Sequence, residues 1–191
     1  MATIKKDDVI SYLEKANMLE ISELIGDIEE KFGVKSTFFF RTMYENGDFR
    51  DYQDDILNLM KGNWEIGLHL DPSSINDINK ISKEKLNLEE LTKSKLKGNR
   101  VHYLGFDKDL PNKLQKLGFV YDSSTRKSKD QIDENEMGFT KINGIIEFPI
   151  TLMDAYLFTH MKITEEKIIP IFEQTLDYSR NLIQDFNIIS E

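Results

Sequence analysis

Three histidines, His69, His102 and His160, are the only imidazoles in a chain that contains no cysteine. Any metal it holds must take its ligands from these rings, from Asp or Glu, or from water; a thiolate zinc site and a disulfide are both excluded. His69 closes the apolar run "WEIGLHL", and Asp71 follows two residues later, so an imidazole and a carboxylate stand together where a strand would end. Taken alone, such a histidine reads first as a polar strand-end residue bonded to backbone. It has company, however. Arg41 follows "STFFF", Arg100, His102 and Tyr103 sit around "NRVHYLG", Tyr121 and Asp122 follow "GFV", and Asp154 follows "EFPITLM".

The elements that must position these residues alternate in type. "ISELIGDIEEKFG" spaces Ile21, Leu24, Ile25, Ile28 and Phe32 as one helical face, and Gly33 follows as a C-terminal cap. "VKSTFFF" reads as a short buried strand, "FRDYQDDILNLMKGN" as a helix with Tyr52, Ile56, Leu59 and Met60 on one face, and "WEIGLHL" as the next strand. Two helices are expected over "SSINDINKISKEK" and "NLEELTKSKLKG", then the strand "NRVHYLG" and a short helix from "LPNKLQKLGF" with Pro111 in its first turn. "VYDSS" and "KINGIIEFPITLMD" add strands, "ITEEKIIPIFEQTLDYSRNLIQDF" is a long helix that Pro170 should start or kink, and "NIIS" looks like a further strand beginning. Alternating strands and helices with β-branched strands predict an α/β protein with a largely parallel sheet or barrel. In such folds functional residues gather at the carboxyl ends of the strands.

At 191 residues with no repeat or low-complexity tract, the chain is expected to form one continuous domain, 1–191. A hydrophobic fraction of 39% argues for a packed core, while 31% charged residues and a mean hydropathy of -0.46 argue for a water-soluble one. No apolar run approaches the roughly 20 residues that a bilayer needs, and the first residues lack a leader's apolar stretch, so no membrane span and a cytoplasmic setting are expected. A net charge of -9 argues against nucleic acid or an anionic membrane as a partner.

Five segments in order, "GVKSTFFF", "WEIGLHL", "GNRVHYLGFD", "LQKLGFVYDSS" and "GIIEFPITLMD", resemble the polysaccharide deacetylase family, the NodB-type carbohydrate esterases, over roughly Ile21 to Tyr156. The resemblance implies a distorted (β/α) barrel, here truncated or open. It also implies a hydrolase that removes acetyl groups from N-acetylated sugars of a polysaccharide or glycan precursor, using one divalent metal, zinc, manganese or cobalt. In that chemistry the ion polarises the amide carbonyl and lowers the pKa of water from about 15.7 toward roughly 7, while an aspartate takes the proton.

Carried over by position, the resemblance implies His69, Asp8 and Asp71 as metal ligands and Asp7 as the base. Arg100 would orient that base, and the backbone N–H of Tyr103 would help form an oxyanion hole. His102, Tyr121, Asp122 and Asp154 would border the sugar groove. Three departures stand beside this. Ser73 occupies the position of the family's second motif histidine; Asp7 and Asp8 are equally placed to cap a helix beginning near Val9; and the chain stops where the strand bearing the general-acid histidine would start, with His160 read as a surface residue. The implied chain is therefore trimmed at both ends, with an open edge through which copies could associate. A second function stays open: a catalytically inactive NodB-like domain that binds carbohydrate or a protein partner without hydrolysis. The third is a generic α/β domain sharing fold alone.

Overall fold

A computed structural model describes residues 18–44, 47–126, 130–132 and 137–189. The chain divides into two compact units, Met1–Leu68 with Lys83–Leu96 and His69–Ser82 with Lys97–Glu191.

In the first unit, helix α1 (Met18–Phe32) ends where the periodicity predicts. Gly33 takes φ +66, and the N–H of Val34 reaches back to the Glu29 carbonyl at 2.9 Å, a left-handed cap that satisfies the last turn. Strand β1 (Thr37–Phe40) runs parallel to β2 (Glu65–Leu70), with Phe39 opposite Gly67. A side chain could not stand at Gly67, because a Cβ there would lie 2.6 Å from the Phe39 ring. A 3-10 turn, Phe49–Tyr52, begins on a capping box made by Asp48 and Asp51 and leads into α2 (Gln53–Lys61). The left-handed residue after α2 is Asn63 at φ 65; Gly62 is needed instead because the Trp64 ring packs against its α-carbon.

One helix, α3 (Ile78–Thr92), replaces the two expected over that stretch. No Pro or Gly interrupts it, and Asp77 caps its start by accepting from the backbone of Asn79 at 2.9 Å. Its inward face carries Ile81, Glu84, Lys85, Leu88, Glu89 and Thr92, all buried at helical spacing. Three of these are charged, which hides the apolar period in the sequence. Glu89 answers burial, which would raise its pKa, with hydrogen bonds from Lys85, Lys95 and the Leu96 N–H that hold its carboxyl below the usual range.

The second unit contains the end of β2, then β3 (Gly98–Val101), β4 (Tyr121–Asp122), β5 (Thr140–Ile142) and β6 (Ile145–Glu147). Strands β3, β4 and β6 are parallel, and β5 turns back antiparallel on β6 through Asn143 and Gly144, both with positive φ. The hydrogen-bonding order across the six strands is β1-β2-β3-β4-β6-β5, a mixed α/β arrangement. Helix α4 (Leu110–Lys116) carries Pro111 in its first turn as predicted, and its Leu110 and Leu114 are fully buried with Val101 and Ile145. Helix α5 (Asp154–Thr159) precedes α6 (Glu165–Ile189), which begins before Pro170 and contains it. The strand expected at "NIIS" is not formed: Asn187 to Ile189 continue α6. Asn187, Ile188 and Ile189 extend a helix already nucleated by some twenty residues, and propagation costs less than starting a strand.

Candidate functional site

Strand β2 ends with His69 half-buried, and strand β3 ends one residue before His102. The His69 Nδ1 lies 3.1 Å from the Arg100 carbonyl, and its Nε2 lies 3.0 Å from Nδ1 of His102. The two rings meet edge to face, with centroids 5.0 Å apart and planes at 81°. A carbonyl only accepts, so the proton of His69 is assigned to Nδ1 and its Nε2 presents a lone pair toward His102. Tyr103 follows at φ 59, ψ 17 and Leu104 at φ 55, two consecutive non-glycine residues in the left-handed region. Such conformations cost about 1–3 kcal/mol each and persist where surrounding structure imposes them. The turn stacks the Tyr103 ring 3.9 Å from that of His102 and leaves the tyrosine 86% exposed, the most open large side chain of the site.

Behind this pair lies a polar layer inside the sheet. The Arg100 guanidinium donates from Nε to the Ser123 carbonyl at 3.2 Å and from Nη2 to Ser123 Oγ at 2.8 Å. Burial pulls its pKa below the usual arginine range, opposed by the charges of Asp122, Tyr121 and Glu147. Asp122 is fully buried; its Oδ1 accepts from Asn99 Nδ2 and Ser124 Oγ, each at 2.7 Å. The strand register sets it directly opposite Glu147, which is 2% exposed and accepts from the backbone and hydroxyl of Thr125. The remaining oxygens, Asp122 Oδ2 and Glu147 Oε2, are buried without a hydrogen-bond partner among the described residues. Burial first, and the Glu147 carboxyl second, push the Asp122 pKa up to about 7. Near neutral pH Asp122 is therefore still partly protonated.

The structure brings His69, His102, Arg100 and Tyr103 together and sorts the other predicted residues differently. The Asp71 Oδ1 is taken up by the backbone N–H of Ser73 at 2.9 Å and its hydroxyl at 2.7 Å, where it caps a 3-10 turn, Pro72–Ser74. Asp122, which the sequence reading set at the sugar groove, is closed off from solvent and works inside the sheet. Tyr121 lays its ring over Gly98, where a Cβ would come within 2.2 Å of it, and meets Phe148 edge to face. Asp154 is exposed at the start of α5, with its Oδ1 on the Ala155 N–H. His160 is exposed, with Asp130 3.9 Å from its Nδ1. Asp7 and Asp8 lie outside the described residues. Sequence reasoning missed Asn99, Ser123, Ser124 and Glu147. Asn99 and the two serines were within quoted motifs, but the pairing of Glu147 with Asp122 depends on a cross-strand register that no local pattern encodes.

Among the described residues no three His, Asp or Glu side chains converge to cage a divalent ion. Two imidazoles do converge, and the lone pair of His69 Nε2 is oriented by a backbone carbonyl, as metal-bound histidines usually are. The pair fits part of a metal's shell, with the other positions open to water or a carboxylate.

Comparison with known proteins gives two different likenesses. Residues 5–38 match the sequence model of the ribosomal protein L7/L12 dimerisation domain. Over 36 residues the chain is 58% identical to large ribosomal subunit protein bL12 of Pelobacter propionicus, covering 19% of this chain and 28% of that protein. The same protein of Geotalea daltonii is 53% identical over 36 residues, 19% of this chain and 29% of the relative. In structure, the chain is similar to a putative polysaccharide deacetylase from Mycobacterium smegmatis, with a TM-score of 0.58 and 19% identity, over 84% of this chain and 59% of that one. The chain thus spans less than a third of these ribosomal relatives and about three fifths of the solved deacetylase. The structural likeness establishes a polysaccharide deacetylase-like fold. Asp7 and Asp8 fall in the segment that is similar to the ribosomal protein.

Proposed function

We propose that this chain is a metal-dependent hydrolase that removes acetyl groups from N-acetylated sugars of a polysaccharide or glycan precursor. Its sheet is read as the described part of a distorted (β/α) barrel. The observation that carries the reading is the meeting of His69, His102 and Arg100 at adjacent strand ends beside the exposed Tyr103, on a deacetylase-like fold.

A bound zinc, manganese or cobalt ion would polarise the acetamide carbonyl and make water acidic enough to attack near neutral pH. His69 and His102 would hold it, with Asp8 and Asp71 as further ligands in the same proposal. Arg100 keeps a fixed positive charge beneath the site, clamped by Ser123 and therefore without side-chain entropy to lose when substrate arrives. The backbone N–H of Tyr103 would donate to the oxygen on which negative charge builds, and its ring offers a face for a sugar to stack on. Asp7 would accept the proton from water, and Tyr121 and Asp154 would border the sugar.

The test is acetate release from an N-acetylglucosamine oligomer and from an O-acetylated sugar, by the full chain supplied with each of the three metals in turn. The reading expects the N-acetylated oligomer to be the better substrate. Sugar binding with no acetate released under any metal would overturn it and leave the inactive carbohydrate-binding domain in its place.

A second reading concerns only the N-terminal segment. Its likeness to a dimerisation domain, together with exposed Ile25, Phe32 and Val34 within or beside the match, favours pairing of two copies through residues 5–38. Light scattering on the full chain should return twice the chain mass, falling to one in Phe32→Glu; a wild-type monomer at micromolar concentration would end this reading.

A further inference from the structure

We infer that Ser124 is a positioning residue for His69: its hydroxyl, backed by the Asp122 carboxyl, holds the Arg100–Val101 peptide so that the carbonyl of that peptide keeps the His69 proton on Nδ1. The inference rests on the proposed function only in giving His69 a task at the strand end.

Three observations carry it. First, one peptide group joins the strand-end ring to the buried layer. Its oxygen, the Arg100 carbonyl, lies 3.1 Å from His69 Nδ1, while its other end, the Val101 N–H, donates to Ser124 Oγ at 2.9 Å. Second, the chain of bonds has one direction. Ser124 gives its single hydroxyl proton to Asp122 Oδ1 at 2.7 Å, so its lone pairs are left for Val101. Asp122 Oδ1 also accepts from Asn99 Nδ2 at 2.7 Å, which puts any proton of that carboxyl on Oδ2 and keeps Oδ1 an acceptor in either charge state. Donors therefore align from imidazole to peptide to hydroxyl to carboxyl, and aligned bonds strengthen one another by roughly 10–30% each. Ser124 is 1% exposed and Asp122 fully buried, so bulk water does not compete for these bonds.

Third, the sheet itself does not require the arrangement. Ser123 N–H donates to the Asn99 carbonyl at 2.9 Å, and the next rung of a parallel ladder would run from the Val101 N–H to the Ser123 carbonyl. Arg100 Nε takes that carbonyl at 3.2 Å, and the Ser124 hydroxyl takes the N–H. Two side chains thus replace a backbone rung at the peptide that meets the His69 ring. Without the Ser124 hydroxyl, the Val101 N–H loses its acceptor and the peptide plane is free to turn. The carbonyl that fixes the His69 tautomer turns with it, and Nε2 is no longer held as a lone pair facing His102.

The experiment reads the His69 ring directly, by proton–nitrogen NMR of the imidazole nitrogens in the full chain with no metal added. Wild type is expected to show the Nδ1–H tautomer with a slowly exchanging ring proton. In Ser124→Ala that proton should exchange on the order of tenfold faster, the scale of one net hydrogen bond, and the Nε2–H tautomer should appear. Acetate release should fall about 10–100-fold, as when the partner behind a working histidine is removed. Ser124→Thr keeps the hydroxyl and should restore both readouts. Thr175→Ala removes a buried hydroxyl from helix α6 and should move neither. An Nε2–H tautomer in wild type would overturn the inference without any variant having to fold. So would a folded Ser124→Ala whose His69 tautomer and exchange match wild type; acetate release by wild type would then leave the proposed function standing without this support. If Ser124→Ala alters the His69 ring but wild type releases no acetate from the N-acetylglucosamine oligomer, the positioning stands and the hydrolase reading fails.

Discussion

Acetate release should fall by at least about 10³-fold in His69→Ala while the protein stays folded. Under the proposed function, the ion that this ring would help hold supplies several kcal/mol of transition-state stabilisation, and each 1.4 kcal/mol is about a factor of ten in rate. Against this, the structural cost of removing the ring is small. His69 is half-buried, and its ring nitrogens meet the Arg100 carbonyl and His102 Nδ1, hydrogen bonds worth about 0.5–1.5 kcal/mol net each. Activity and stability should therefore separate cleanly, with kcat/KM lost and the melting temperature displaced by only a few degrees. A variant that keeps a tenth or more of wild-type kcat/KM would show that the metal, if any, is held elsewhere.

Stability should decline as pH rises from about 4 to about 7 and level off above, and Glu147→Gln should make that decline smaller. Asp122 ordinarily titrates near 3.8, but burial and then the Glu147 carboxyl push it up to about 7. Between those values the folded protein binds more protons than the unfolded chain, so raising the pH favours unfolding. The interval corresponds to a loss on the order of 4 kcal/mol. In Glu147→Gln the side-chain oxygen still accepts from Thr125, while the new amide donates to the Asp122 oxygen that lacks a partner among the described residues. The like-charge repulsion disappears and Asp122 gains a donor, so it ionises at lower pH while the cost of burial remains. The two proteins should thus be similar near pH 5 and diverge toward pH 8, with the variant the more stable. Glu147→Ala should lose about 2–3 kcal/mol near pH 5, because Thr125 is left without its buried acceptor, and less toward pH 8, where the like charge is also gone. Groups common to both proteins cancel in the comparison. Glu89, held low by its two lysines, acts only at the acid end, where its contribution is lost as pH falls through its depressed value. Parallel stability curves for wild type and Glu147→Gln would show that Glu147 does not raise the Asp122 pKa.

The strands that carry the site were legible because their chemistry is local. "WEIGLHL" is mostly apolar up to His69, and "NRVHYLG" breaks into polar residues where β3 ends, so the rule of strand carboxyl ends picks out His69, Arg100, His102 and Tyr103. The helix over Met18–Phe32 and its glycine cap were legible for the same reason. Helix was expected over α3 but its continuity was not, because Glu84, Lys85 and Glu89 lie on its buried face and blur the apolar period. The polar layer of Asn99, Asp122 and Glu147 escaped for a different reason: it is assembled by register between strands distant in sequence. The segment "NIIS" is compatible with strand by composition, and the preceding helix decided its state.

The direct apposition of His69 and His102 is also the feature that a single spectrum can judge. Zinc K-edge X-ray absorption of the full chain loaded with one zinc should show a first shell at 2.0–2.1 Å, with the outer-shell scattering of two imidazole rings and oxygen completing the count. A shell made of oxygen alone, or zinc that is lost on desalting, would contradict the claim that these strand ends hold the metal on which the activity depends.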